Sequence, residues 1–116
     1  MQWGVRYVKP DRRKYERIPI RMPAAFLWHD RHADGVVTDL SVAGCTLETD
    51  TAIPAGEAVQ LRFKAAGEDA EVSVDVTVVR SMGPKRVGLE FVQVREEQRE
   101  RLARLFQDLL ARMRQG

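Results

Sequence analysis

The chain is short of several residues that chemistry commonly needs. Its 116 residues include one cysteine, Cys45. An internal disulfide is thereby excluded, and a cysteine-built metal cluster with it. The two histidines, His29 and His32, flank a turn with no third ligand at metal spacing, so they read as exposed turn residues. There is no G-x-x-x-x-G-K-[ST] phosphate loop. Ser41 lies in DLSVAG, which is not the G-x-S-x-G elbow of a hydrolase. Cys45 opens a strand with no base placed beside it, and it reads as a buried structural thiol. With no catalytic constellation, an enzyme is not expected. No apolar run approaches the ~20 residues of a membrane span. The N-terminus, MQWGVRYVKP, lacks the apolar stretch of a secretory signal, so the expected location is cytoplasmic.

What is present is a globular composition with unevenly placed charge. Hydrophobic residues at 44% against 31% charged fit one folded domain with one core rather than disorder. The net charge is only +2, but residues 1–21 hold seven Lys/Arg against Asp11 and Glu16. The rest of the chain is slightly acidic. A basic segment on an acidic body suggests a local anion site, or else a solvated tail.

Periodicity places the elements. Residues 1–17 carry no clean period, and Pro19 and Pro23 disfavour a helix after them. AAFLWH (24–29) reads as a strand and DRHADG (30–35) as a turn. A strand then runs from Val36 to about Leu40, and CTLETD (45–50) supplies a short one. AVQLRFK (58–64) alternates with Val59, Leu61 and Phe63 inward. AEVSVDVTVVR (70–80) is the strongest strand, with Val72, Val74, Val76 and Val78 on one face. SMGPK turns the chain, and RVGLEFVQV (86–94) alternates again. The period then changes: Leu102, Leu105, Phe106, Leu109, Leu110 and Met113 recur at helical spacing. The expected fold is mainly β: a six-stranded antiparallel barrel followed by a C-terminal α-helix over about 95–114. The helix's apolar stripe either packs on its own barrel or contacts a second copy.

Two short stretches carry binding chemistry. RRKYER (12–17) places Arg13 and Arg17 four residues apart, beside Arg12 and Lys14. Two guanidinium groups so spaced could converge on one anion, and their planar forks match both phosphate oxygens and the guanine O6/N7 edge. DLSVAG (39–44) sets Asp39 and Ser41 on one face of a strand. Asp39 can accept from guanine N1–H and N2–H₂, and Ser41 can donate or accept. Gly44 can take a positive φ or let a ligand lie against the backbone. A turn closing a hairpin explains this Asp, Ser and Gly equally well.

Together the stretches resemble the PilZ domain family of bacterial cyclic di-GMP receptors. The family's RxxxR motif matches Arg13 to Arg17, and its [D/N]xSxxG motif matches Asp39 to Gly44. VVRSMGPKRVGLEF (78–91) looks like the family's closing strands, and the likeness covers about residues 10–112. The resemblance implies a barrel of about residues 18–94 with the arginine arm, 12–17, wrapped over its outside. It places residues 1–11 as a flexible N-terminal arm and 12–116 as the PilZ-like domain. It also implies that Arg13 and Arg17 contact the phosphates and guanines of cyclic di-GMP, and that Asp39, Ser41 and Gly44 hold one guanine. Arg12, just before the first motif, goes in the family with two stacked, mutually intercalated ligand molecules. Gly88 either lies near the ligand or serves strand packing.

The expected function is therefore a non-enzymatic receptor without a cofactor. Its arm would order on binding and relay the signal to an unidentified downstream protein, with the receptor a monomer or homodimer. With no output domain attached, the chain is expected to act through that partner or to be part of something larger. A PilZ-like protein-interaction module without nucleotide binding is the alternative. A small nucleic-acid-binding barrel fits less well, because few aromatics accompany the basic arm and the body is acidic, so neither DNA nor RNA is expected as a partner.

Overall fold

A computed structural model describes residues 17–64 and 71–115. Six strands precede one helix: β1 (Ile18–Trp28), β2 (Arg31–Leu40), β3 (Gly44–Glu48), β4 (Ala58–Phe63), β5 (Val72–Gly83), β6 (Arg86–Gln93) and α1 (Glu96–Gln115). The strands close a barrel in the order β1-β2-β3-β6-β5-β4, and every neighbouring pair is antiparallel. This is the expected fold, and closure leaves no unpaired sheet edge. Among the described residues, no helix is long and apolar enough to cross a membrane.

Three strands differ from the periodicity reading. β1 starts at Ile18 rather than Ala24, with Pro19 at a register shift that tolerates the missing N–H. The first turn is only His29–Asp30, because Trp28 already pairs with Arg31. Residues 31–35 look polar yet extend β2: Arg31, His32 and Asp34 are exposed, while Ala33 packs against the core. Gly35 pairs with Ala24 within the strand, and glycine is needed there because a Cβ would sit 2.7 Å from the Glu48 carbonyl oxygen. β5 also continues through Ser81–Gly83, so the β5–β6 hairpin turns only at Pro84–Lys85.

The third difference lies inside β5. Val72 and Val74 point into the core, as the alternation predicts, but the next buried residues are Thr77 and Val79. Register shifts flank this point, at Val59/Leu61 against β4 and at Val76/Thr77 against β6. A bulge adds one residue and so exchanges the inward and outward faces. Val76 and Val78 therefore become half-buried outer residues. Thr77 is accommodated in the core because its hydroxyl donates to the Val59 carbonyl at 2.8 Å.

The core is continuous through the barrel, from Phe26, Val37, Leu40 and Leu47 to Leu61, Phe63 and Leu89. α1 closes it. Leu102 joins the barrel core, while Phe106 and Leu110 pack with Ile18 at the start of β1. Of the two expectations for the helix, packing on its own barrel is the one observed for these residues. Ser73 N–H donates to Gln98 Oε1 at 2.8 Å and fastens the first turns of α1 to β5. Glu96 and Glu97 in the first turn and Arg112 and Arg114 in the last complement the helix dipole. The helix thus reaches back to the strand that follows Arg17, next to the first binding stretch.

Candidate functional site

The first stretch ends at Arg17, immediately before β1. Arg12 and Arg13 lie outside the described residues. Asp39 is near the end of β2, and the β1–β2 pairing brings the two together: Pro19 is the register partner of Asp39. Arg17 Nη2 donates to Asp39 Oδ1 at 2.5 Å, with about a third or less of each side chain exposed (28% and 30%). Residues from both stretches, 22 positions apart in sequence, thus meet in one charge-assisted bond. Partial burial raises the strength of that bond above that of an open surface pair.

Ser41 behaves differently from expectation. It lies past the end of β2 and is buried, so it does not share the outer face with Asp39. Its Oγ accepts the N–H groups of Ala43 (3.1 Å) and Gly44 (3.2 Å). Its own N–H donates to the Gly44 carbonyl at 2.9 Å. The side chain is the staple of the β2–β3 turn. The Phe91 N–H, donated to the Ala43 carbonyl at 2.9 Å, pins that turn to β6.

Gly44 does not need its glycine for a positive φ; among the described glycines only Gly56 has one. The reason is close approach. A Cβ at Gly44 would lie 2.2 Å from the Leu89 carbonyl oxygen and 3.3 Å from the Glu90 Cα. The space beside Gly44 is occupied by β6. Cys45 follows it into the core, and its thiol pKa is pushed up to about 12, by burial first and by the Asp39 carboxylate second, with Arg17 acting in the opposite direction. At neutral pH it is a protonated, inert core residue.

Two groups near this face escaped sequence reasoning. Arg80 is the extra residue at a β5–β6 register shift, and its Nε donates to Glu90 Oε1 at 2.5 Å. Glu90 is the one buried charged residue among those described. The alternation of VGLEFV places Glu90 outward, and nothing in the sequence reveals that a bulge turns Arg80 toward it. At the other end of the barrel, His29 adopts a left-handed φ of 56° and pairs with Glu57 (3.2 Å), which also accepts from Trp28 Nε1 at 3.0 Å.

Comparisons with known proteins agree with this geometry. The PilZ domain model matches residues 11–108. The PilZ domain of YcgR from Escherichia coli, solved with c-di-GMP, is 20% identical, with a TM-score of 0.68 over 90% of this chain and 96% of that one. The PilZ domain of CeSA from a cellulose-synthesizing bacterium is 22% identical, with a TM-score of 0.63 over 78% and 93%. The Bacillus subtilis inhibitor of motility, MotI/DgrA, is 18% identical, with a TM-score of 0.70 over 94% of this chain but 55% of its own length. At these identities the structures speak for the fold alone. No curated protein matches the sequence. The family match spans both binding stretches, the whole barrel and most of the helix, and by it the chain belongs to the PilZ domain family.

Proposed function

We propose that this protein is a non-enzymatic receptor for cyclic di-GMP. The observation that carries the reading is the Arg17–Asp39 contact: a cation of the RxxxR motif and the carboxylate of the DxSxxG motif share one half-exposed spot on the outer face. The likeness to a YcgR PilZ domain solved with c-di-GMP supports it. In this reading Arg13 and Arg17 take the phosphates and guanine edges, and Asp39 accepts from a guanine. Ser41 and Gly44 act chiefly by holding the turn that positions Asp39. Arg12 sets whether one or two intercalated ligands bind. Residues 12–17 form the arm motif of the domain, residues 1–11 extend from it, and ordering of the arm on the ligand relays the signal to a partner protein in the cytoplasm.

The ligand replaces an existing contact. Arg17 already has an anionic partner, so a phosphate must compete with Asp39 or share the guanidinium fork with it. An arm rich in like charge gains most from a doubly anionic ligand, whose binding energy offsets the lost chain entropy.

A second reading has its own support. The buried Ser41 hydroxyl and the packed Gly44 are fully explained by the turn, so part of the motif is required whether or not a nucleotide binds. A PilZ-like module that binds only protein would retain them. Calorimetry separates the two. The receptor reading expects micromolar or tighter binding of cyclic di-GMP, lost in Arg17→Ala and Asp39→Ala, and no heat with single-stranded RNA. Absence of heat with cyclic di-GMP would remove the receptor reading and leave the interaction module.

A further inference from the structure

A cleft on the barrel's outer face extends the Asp39 site toward the β5–β6 hairpin. Asp39 pairs with Thr46, Thr46 with Gly88, and Gly88 with Ser81. Paired residues on neighbouring strands share a face, so these four form one row across β2, β3, β6 and β5. Three strand spacings of about 4.8 Å put Ser81 roughly 14 Å from Asp39. The row steps down at Gly88, which has no side chain. Beside that step lies a cleft of about 360 Å³ lined by Thr46, Ser81, Met82, Gly83, Arg86 and Gly88.

The lining is chemically specific. Met82 is 55% exposed, an uncommon position for a large apolar side chain on this barrel. Arg86 is exposed and makes no ion pair with any described residue. Glu48, its register partner on β3, bonds to Arg21 instead, at 3.3 Å. A free guanidinium fork, a polarizable thioether and two hydroxyls over a bare backbone suit a flat ring with acceptors on its edge. At 360 Å³ the cleft is at the small end of ligand pockets, with room for one base rather than a whole dinucleotide.

We propose that this cleft is the seat of the ligand's second purine, resting on the receptor reading above, with Arg86 as its specificity-determining residue. A cyclic dinucleotide carries two bases; one at Asp39 leaves the other to lie elsewhere on the face. Arg86 donates in a fork to O6 and N7 of guanine. Adenine presents an amino donor at position 6 and cannot accept there. Met82 packs on the ring face through its thioether, a contact indifferent to the base.

Calorimetry on the full chain with cyclic di-GMP and cyclic di-AMP tests this. The wild type is expected to prefer cyclic di-GMP. Arg86→Ala should weaken cyclic di-GMP binding about tenfold or more and leave cyclic di-AMP unchanged. Arg86→Lys keeps the charge but loses the fork, so it too should reduce the preference. Met82→Ala should weaken both ligands alike, and Arg62→Ala, on β4 and outside the cleft's lining, should alter neither. If Arg86→Ala or Arg86→Lys keeps wild-type preference while Arg17→Ala abolishes binding, the second seat is overturned and the receptor reading stands. If the wild type binds neither ligand, both fall together.

Discussion

The β2–β3 turn and the β5–β6 hairpin sit at opposite ends of the β3–β6 pairing and use their polar groups in opposite ways. In the β2–β3 turn, the Ser41 hydroxyl, the Ala43 carbonyl and the amides of residues 43 and 44 are all bonded within the protein. The hairpin over residues 81–86 is exposed throughout, and outside the strand ladders the Lys85 carbonyl accepts from Thr49 N–H at 3.0 Å. One connection is a closed mechanical part. The other keeps its side chains available. A motif rich in Ser and Gly thus marks where the fold is held, while the less patterned SMGPKR is where side chains remain open to a ligand.

Substitutions can break that contrast, and the largest effect should be at Gly44. Valine there would drive a Cβ into β6 backbone, 2.2 Å from the Leu89 oxygen, where no flexible side chain can yield. Gly44→Val is expected to cost about 3 kcal/mol or more in urea unfolding. Gly83→Ala, in the hairpin, meets nothing within 4 Å and should leave stability unchanged or slightly raised. Equal losses at the two glycines would erase the contrast.

Next in size is a pH effect at the residue after Gly44. The Cys45 thiol is raised from 9.0 to about 12 in the folded protein. Over that interval the native chain keeps a proton that the unfolded chain releases. The stabilisation is therefore complete below about pH 9 and is lost as pH rises toward 12. Comparing urea unfolding of wild type and Cys45→Ala at several pH values isolates it, because other groups titrate in both. The wild type's advantage should shrink as pH climbs through this window; a constant difference would contradict the assignment.

Smaller effects distinguish the two serines. Ser41→Ala leaves two amides of a buried turn without their acceptor and should cost about 1–2 kcal/mol. Ser81→Ala should fall within about 0.5 kcal/mol of wild type. One further change is expected to be a gain. Lys85 holds a left-handed φ of 58° in the hairpin turn, a conformation that favours glycine. Lys85→Gly should raise stability by about 1 kcal/mol or less. Thermal unfolding of these variants reads each difference directly.

Much of this was legible in the chain because local chemistry repeats locally. Val59, Leu61 and Phe63 alternate and are all buried. Leu102, Phe106 and Leu110 recur at helical spacing and pack inward. Where alternation misled, at Val76 and Val78, one extra residue had exchanged the faces, and register is a property of two strands rather than one. The length of β2 was hidden for a similar reason: residues 31–35 look like a turn by composition, and only their pairing with β1 makes them a strand. At the site, the identities of Arg17, Asp39, Ser41 and Gly44 were readable, but their separate tasks were not. Ser41 turned inward because the chain bends past Leu40, and Gly44 is needed because β6 passes close to it.

By itself the sequence determined the element types, the charge asymmetry and the two motifs that identify the family. Those follow from residue spacing along one strand or helix, and from side-chain chemistry that needs no neighbour to define it. Tertiary structure alone decided that Arg17 meets Asp39, that Arg80 meets Glu90, and that Asp39, Thr46, Gly88 and Ser81 share one row. Each depends on how strands pair and where bulges shift the register, and those shifts are set by the closure of the whole barrel.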